Sequence, residues 1–266
     1  MMDIHRDPQW HLPPTPLVLG DDAVHIWHAS LDLAPERVAA LRDTLAADER
    51  ARAERFRFPL DGARSIVARG LLRAIIARYL ERAPGAIAFV YGASGKPSLR
   101  DDAECGSIRF NVSHADGVAL YALTRGREVG VDIERIRADM VGERIAERFF
   151  SPHEVATLRA LPPDLQHDAF FTCWTRKEAY VKARGIGIGA ALDRFDVSLA
   201  PHEPAALLAN REAGEAQRRW SLYHLTPGPG FVGAVAVEGE GTTLACWQWQ
   251  EPCDLHCEQP GGDCDG

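Results

Sequence analysis

Two long amphipathic helices constrain the fold of this chain more than any other feature of its sequence. The first is predicted over residues 60–80. Its apolar stripe is formed by Ala63, Val67, Leu71 and Ile75, and its polar face carries Arg64, Arg69, Arg73 and Arg78. The second is predicted over 164–185 and ends at Gly185, a residue type suited to a helix C-terminus. Short strand-like segments with hairpin spacing accompany each helix. This pattern predicts an α+β fold and disfavours a doubly wound parallel sheet.

The chain divides on this pattern into two similar halves that meet near residue 125. We expect two similar α+β subdomains in one chain, arranged as a pseudo-twofold repeat. The predicted divisions are an extended, Pro-rich lead-in over 1–21, a first subdomain over 22–124, a second subdomain over 125–250, and a disordered, Gly-rich tail over 251–266.

The segment GVDIERIR, residues 130–137, combines the pattern of a buried strand with two carboxylates. Its apolar residues alternate, so Asp132 and Glu134 project side by side from the opposite face of the strand. Like charges at this separation repel, and each resists burial unless a cation compensates it. The pattern therefore predicts a cation beside Asp132 and Glu134.

The second long helix offers a third carboxylate. Glu178 and Lys182 are one helical turn apart and share a face with Trp174, whereas Lys177 is turned away from that face. The same spacing is also that of an ordinary surface ion pair, which contributes only about 0.3–0.5 kcal/mol. Oxygen ligands with room for water and phosphate suit Mg²⁺, so we expect Glu178 to complete a Mg²⁺ site.

Composition excludes some classes of partner and draws attention to the lysines. The formal net charge is −8, so a nucleic-acid partner is not expected. No apolar run approaches the ~20 residues of a membrane span, and no signal sequence is apparent, so we expect a cytoplasmic protein without a membrane partner. Of the 30 basic side chains, 27 are Arg, and each remaining Lys is a candidate for a specific role. The lysines are Lys96, Lys177 and Lys182.

Two motifs together resemble one enzyme family. The segment GVDIERI is followed about forty residues later by FFTCWTRKEAYVKARGIG. This pair, its spacing and the intervening RFFSPHE resemble the 4′-phosphopantetheinyl transferases, and the length of the chain is similar to the longer, surfactin-type branch. The resemblance covers roughly residues 20–250. It implies two similar α+β subdomains with the active cleft between them.

The resemblance also implies the reaction and its site residues. Such an enzyme transfers the 4′-phosphopantetheine arm of coenzyme A to a serine of an acyl or peptidyl carrier protein, with Mg²⁺ as cofactor, and releases 3′,5′-ADP. It implies Asp132, Glu134 and Glu178 as Mg²⁺ ligands, and Lys182 as the cation that reaches the diphosphate. The coenzyme A residues that it implies are Arg64, Lys96, Ser113, His114 and Lys182. Glu178 is the candidate base, acting directly or through a metal-bound water.

Some positions depart from the family pattern. Basic residues that meet the 3′-phosphate in the family align with Glu49 and Arg52, and Glu49 has the wrong charge for that contact. A threonine that often follows the second metal ligand is replaced here by Ile136.

Carrier docking needs a local basic or apolar patch, because the chain is acidic overall. Arg144 and Arg148 are the candidates.

Two other functions stay open on the sequence alone. One is a different Mg²⁺-dependent phosphotransferase or hydrolase that uses the same three carboxylates. The other is a non-catalytic protein that binds coenzyme A or a carrier protein. We expect a monomer. A zinc site formed by Cys253, His256, Cys257 and Cys264 is a minor alternative, because no Cys-x-x-Cys motif is present.

Overall fold

The computed structural model describes residues 9–92, 95–100, 107–137, 142–186, 192–201, 203–212 and 219–251. These residues form an α+β fold, as predicted. The α-helices are α1 (Pro35–Asp43), α2 (Ala47–Ala53), α3 (Pro59–Leu80), α4 (Gly142–Phe149), α5 (Pro152–Ala160) and α6 (Pro163–Arg184). The strands are β1 (Ala23–Ser30), β2 (Phe89–Tyr91), β3 (Pro97–Leu99), β4 (Ile108–Ala115), β5 (Val118–Arg125), β6 (Val129–Arg135), β7 (Phe195–Val197), β8 (Leu207–Asn210), β9 (Trp220–Leu225), β10 (Phe231–Glu238) and β11 (Thr243–Gln248).

The two halves of the chain repeat one topology. In the first half, β1 and the long helix α3 are followed by the small β2–β3 sheet and the β4–β5 hairpin. In the second half, β6 and α6 are followed by the small β7–β8 sheet and the β9–β10 hairpin. The corresponding strand orders are β1-β5-β4 and β6-β10-β9. The expected similarity of the two halves is therefore visible in the order and pairing of their elements.

The last strand departs from the predicted boundary at residue 125. β11 pairs in parallel with β1, with Trp27 opposite Trp247, and completes a sheet of order β11-β1-β5-β4. We call this sheet with α1–α3 the first lobe, and the sheet β6-β10-β9 with α4–α6 the second lobe. Residues 243–248 therefore belong to the first lobe, although they lie within the segment 125–250. The other limits of the predicted division remain a prediction.

Three apolar clusters hold the layers together. One joins α3 to the first sheet through residues such as Val67, Leu71 and Trp27, all fully buried. A second joins α6 to the second sheet. The third lies between the two sheets and includes Ile26, on the opposite face of β1 from Trp27. Because both faces of each sheet are covered, β6 is buried along most of its length, including at Asp132.

The first long helix shows where the apolar pattern succeeds and where it fails. Its predicted stripe is buried at Val67, Leu71 and Ile75. Arg73, which the pattern assigned to the polar face, is also buried, with its guanidinium 2.7 Å from Glu49. Glu49 is itself buried and accepts from the Ala46 backbone at the start of α2. The ion pair explains how two charged residues can lie in the interior of the first lobe.

The second long helix begins and ends as predicted. Gly185 takes a left-handed backbone conformation (φ 68°) at the C-terminus of α6, which favours glycine. The helix before it, α5, begins with a capping box, which the Ser-x-x-Glu spacing of Ser151 and Glu154 predicts. The Ser151 hydroxyl accepts from the Glu154 backbone, while Glu154 accepts from the Ser151 backbone. Strand β8 was not predicted.

The ends of the chain are described in part. The predicted tail began at residue 251, but Glu251 is described and accepts hydrogen bonds from Arg37 and Trp249. Residues 252–266, with the four residues considered for zinc, lie outside the described residues, as do residues 1–8. Within the described part of the chain, no helix is both long and apolar enough to span a membrane.

Candidate active site

The paired carboxylates lie on β6, as the alternation predicts. Asp132 is 3 % exposed and Glu134 is half-buried. β6 is the edge strand of the second sheet, and its partner within that sheet is β10. On its other side it contacts β4, the edge strand of the first sheet. The two carboxylates therefore lie where the lobes meet.

Helix α6 packs directly on β6 because Gly130 has no side chain. A Cβ atom at this position would overlap the carbonyl of Ala179 and the amide of Ala183, and would lie 2.9 Å from the Ala183 Cα. All three contacts are with the backbone of α6, so no flexible group could move aside. The approach allows short side chains on the strand to reach the helix.

The face of α6 toward β6 carries Trp174, Glu178 and Lys182, at i, i+4 and i+8. The Lys182 Nζ lies 2.6 Å from the Asp132 Oδ1, and the Trp174 side chain lies near Glu134 and lowers the pKa of that carboxyl. Glu178 lies between them along the helix and is 6 % exposed. A surface ion pair, the alternative interpretation of Glu178 and Lys182, is therefore wrong, because Lys182 pairs with the strand instead.

Burial and mutual repulsion affect all three carboxylates. Burial raises the pKa of Asp132, although the nearby ammonium of Lys182 opposes this shift. Burial also raises the pKa of Glu134 and of Glu178, and the negative charge of Asp132 raises both further. The three groups therefore share one electrostatic environment, in which one more positive charge would be stabilising.

Two buried oxygens in this cluster are unsatisfied. Asp132 Oδ2 and Glu178 Oε1 are inaccessible to solvent and lack a hydrogen-bond partner among the described residues. Buried carboxylate oxygens normally have a donor or a cation beside them. No three His, Cys, Asp or Glu side chains in the described ranges are already arranged closely enough to form a metal site. The orphaned oxygens nevertheless fit a hard cation, since they are the ligand type it prefers.

The residues assigned to the nucleotide end fall in different places. His114 is exposed at the end of β4. Partial burial of its ring lowers the pKa of His114, and the positive charges of Lys182 and Arg64 lower it further. Arg64 donates to both oxygens of Asp32, at 2.6 and 2.8 Å. His114 therefore lies near two cations.

The described hydrogen bonds of Lys96 do not involve Asp132, Glu134 or Glu178. Its ammonium donates to Glu128 at 3.0 Å, to the Val129 carbonyl at 3.3 Å and to the Ala183 carbonyl at 3.0 Å. These partners include the backbone of β6 and the last turn of α6. Lys96 also lines a cavity of about 510 Å³ together with Arg109 and other residues of the first lobe.

Lys177 has a structural position that the spacing could not reveal. Its ammonium is fully buried, 2.7 Å from Glu154 and 2.7 Å from the carbonyls of Leu192 and Phe195. Glu154 is fully buried as well and also accepts from the Val197 backbone. The capping box identified Glu154 as a helix cap, but no local pattern connects it to a lysine on another helix.

The two departures from the family pattern have structural explanations. Glu49 faces the interior and pairs with Arg73, so it does not contribute a negative charge to the cleft. Ile136, just beyond β6, packs against the apolar cluster of the second lobe. Neither residue contacts Asp132 or Glu178 through any described hydrogen bond or ion pair.

Both halves of the chain match families of one class of transferase. The profile of the 4′-phosphopantetheinyl transferase superfamily matches residues 128–237, which contain all three carboxylates. The profile described as 4′-phosphopantetheinyl transferase, N-terminal, matches residues 32–125. The class is therefore that of enzymes that transfer the phosphopantetheine of coenzyme A onto carrier proteins.

Curated relatives extend the match over most of the chain. It is 40 % identical over 240 residues to the 4′-phosphopantetheinyl transferase HetI of Nostoc sp., which covers 90 % of this chain and 98 % of that protein. It is 30 % identical over 167 residues to Sfp of Bacillus subtilis, which covers 63 % of this chain and 72 % of that protein. The chain thus belongs to the 4′-phosphopantetheinyl transferases, and to their surfactin-type branch.

Solved structures of smaller enzymes also match part of the chain. Holo-[acyl-carrier-protein] synthase of Thermotoga maritima matches at 22 % identity with a TM-score of 0.33, over 43 % of this chain and 64 % of that one.

Proposed function

We propose that Asp132, Glu134 and Glu178 hold Mg²⁺ while the enzyme transfers the 4′-phosphopantetheine arm of coenzyme A to a serine of an acyl or peptidyl carrier protein. The observation that carries this proposal is the electrostatic interaction of buried Asp132 with both Glu134 and Glu178, together with its 2.6 Å contact with Lys182, at the junction of the lobes. Such a cluster is costly without a cation. The oxygen-only donor set favours Mg²⁺ over softer metals.

The unsatisfied oxygens support the same assignment. Asp132 Oδ2 and Glu178 Oε1 come from different elements and are both buried acceptors without a described donor. Glu134, also on β6, supplies the third carboxylate. When bound, Mg²⁺ would supply positive charge to the diphosphate oxygens, which gain negative charge during transfer.

The reaction breaks one phosphorus–oxygen bond and forms another. The serine oxygen of the carrier attacks the β-phosphorus of coenzyme A, and the bond to 3′,5′-ADP breaks, so 3′,5′-ADP leaves with that bond's electron pair. Positioning and charge neutralisation are the main requirements of such transfers. We assign Lys182 to the diphosphate, because its ammonium lies at the same cluster and remains 30 % exposed.

Glu178 is the group that we assign to accept the serine proton. Its Oε1 is assigned to the cation, so the proton would go to the other carboxylate oxygen, Oε2. A general base must reach the proton that it removes. Glu178 lies on the same helix face as Lys182. Glu178 can therefore act on the attacking serine, and Lys182 on the diphosphate, from one surface of α6.

Arg64, Lys96 and His114 are the residues that we propose for the coenzyme A end, whereas Ser113, which the resemblance also implied there, donates to Asp132 at 2.9 Å. His114→Ala is expected to weaken the binding of coenzyme A several-fold more than that of 3′-dephospho-coenzyme A, because His114 is assigned to the 3′-phosphate beside Arg64. Calorimetric titration of both donors into wild type and variant measures the difference. Equal losses for both donors would remove His114 from this role.

The exposed side chains of Arg144 and Arg148 on α4 are the docking residues that we propose for the carrier. Charge reversal at both positions should raise the KM for an acidic carrier about tenfold and leave the KM for coenzyme A unchanged, because rim charges act on encounter. Arg42→Glu, an exposed change on α1 in the first lobe, serves as the control. An unchanged KM for the carrier would place docking elsewhere.

One experiment tests the proposed reaction directly. Incubation with coenzyme A, Mg²⁺ and a panel of apo carrier proteins should add a phosphopantetheine arm to the carrier, seen by mass spectrometry, and release 3′,5′-ADP. Chelation of Mg²⁺ should stop both. Hydrolysis of coenzyme A without carrier modification would contradict the proposal.

We further propose that the protein is a monomer, since one chain supplies both lobes. We also propose that it is cytoplasmic and has no nucleic-acid partner.

A further inference from the structure

The two lobes meet through side chains of alternate residues on β4. β4 and β6 are edge strands of different sheets, and they contact each other along their length. The Arg109 Nε lies 3.4 Å from Glu128, the Asn111 Oδ1 accepts from the Val131 backbone at 2.9 Å, and the Ser113 Oγ donates to Asp132 at 2.9 Å. We call these contacts of Arg109, Asn111 and Ser113 the β4–β6 seam.

Asn111 fixes the strand next to the catalytic carboxylate. Its amide oxygen satisfies the backbone N–H of Val131, on the edge of β6 that faces away from β10. Asn111 is 8 % exposed, so this hydrogen bond lies in a medium where an unmade bond would be costly. The contact sets the register of β6 against the first lobe, one residue before Asp132.

Ser113 acts on the carboxylate itself. Its hydroxyl has a single proton, which it donates to the Asp132 Oδ1, and it accepts from the Lys182 Nζ at 3.0 Å. It is 8 % exposed. With its only donor used by Asp132, the hydroxyl is committed to the carboxylate cluster rather than to the nucleotide.

We infer that Ser113 is a positioning residue that fixes the orientation of Asp132 and Lys182 across the junction of the lobes. Ser113 and Lys182 both bind the Asp132 Oδ1, which leaves Oδ2 as the available acceptor on the other side of the carboxylate. The inference rests on the proposed role of Asp132 as a Mg²⁺ ligand. Partners that orient metal ligands typically affect metal affinity or activity by about 10–100-fold.

Ser113→Ala is the informative variant. We expect it to lower kcat and weaken the binding of Mg²⁺ by about 10–100-fold each, while the KM for coenzyme A changes less than about twofold. Ser113→Thr keeps the hydroxyl and should recover most of both. Ser221→Ala is the matched control, because it removes a strand hydroxyl that donates to the Gly239 carbonyl at 2.8 Å, away from the cluster. Mg²⁺ binding is measured by calorimetry in the presence of coenzyme A.

The measurements distinguish a failure of the inference about Ser113 from a failure of the proposed metal site. A higher KM for coenzyme A with unchanged kcat and Mg²⁺ affinity would make Ser113 a nucleotide ligand and overturn the inference, and so would wild-type values throughout. If Ser113→Ala proves unstable, Ser113→Cys keeps the volume with a weaker donor and gives the same comparison. Asp132→Asn tests the proposed function separately. If it retained Mg²⁺ binding and turnover, the metal assignment itself would fail.

Discussion

Replacing Asp132 with alanine is expected to lower the rate of carrier modification by about 100-fold or more. The substitution removes a Mg²⁺ ligand and the partner of Lys182, so the diphosphate charge would be poorly stabilised during transfer. Glu178→Gln should behave alike, because it removes both a ligand and the proposed base. Single-turnover rates with coenzyme A and an apo carrier protein measure the loss.

The Asp132→Ala variant should keep its fold. Because the folded-state pKa of Asp132 is raised, its ionisation costs stability as the pH rises above the pKa of an unfolded aspartate. At pH 7 the metal-free Asp132→Ala protein should therefore melt at the same temperature as wild type or higher. This stability advantage of Asp132→Ala over wild type should disappear in acid, where Asp132 is protonated in both the folded and the unfolded protein. Lower stability with full turnover would identify the three carboxylates as a structural polar cluster.

Replacing Lys177 with methionine is expected to have the largest effect on stability. The change leaves Glu154 as an unpaired, fully buried charge, and breaking such a pair typically costs about 3–5 kcal/mol. It also leaves the carbonyls of Leu192 and Phe195 without the ammonium that they accept from. Chemical denaturation should show the midpoint moving strongly downward with a similar slope.

A second lysine provides a control for this prediction. Lys96 also donates to one carboxylate and two carbonyls, but its partner Glu128 is 41 % exposed. Lys96→Met should therefore destabilise the fold much less than Lys177→Met. Combining Lys177→Met with Glu154→Gln should recover part of the loss, since the isolated charge is then absent. Equal losses for the two lysines would show that burial does not set the cost.

The elements that carry the site were predictable because their signals are local. Alternation around Asp132 and Glu134 identifies a strand, and the spacing of Trp174, Glu178 and Lys182 identifies one helix face. Ser151 and Glu154 mark a helix start, and Gly185 marks an end. Each of these signals is written within a few residues, and each agrees with the described structure.

The sequence did not reveal which distant residues contact one another in the fold. Arg73 has the spacing of a surface residue, and its burial depends on Glu49, 24 residues away. Lys177 depends in the same way on Glu154. Ser113 reaches Asp132 only because two sheets place their edges together, which no periodicity encodes. The short strand β8 has too few residues to show an alternating pattern.

The pairing of β11 with β1 has a consequence for the order in which the enzyme can fold. His28 and Gln248, joined by a hydrogen bond between these strands, are separated by 220 residues. During synthesis, β1 can pair with β11 only after the residues between them, which include the second lobe, have been made. Contacts of such separation are slow to form and leave an unpaired strand edge exposed meanwhile. The first lobe can therefore complete its sheet only after the second lobe has been synthesised.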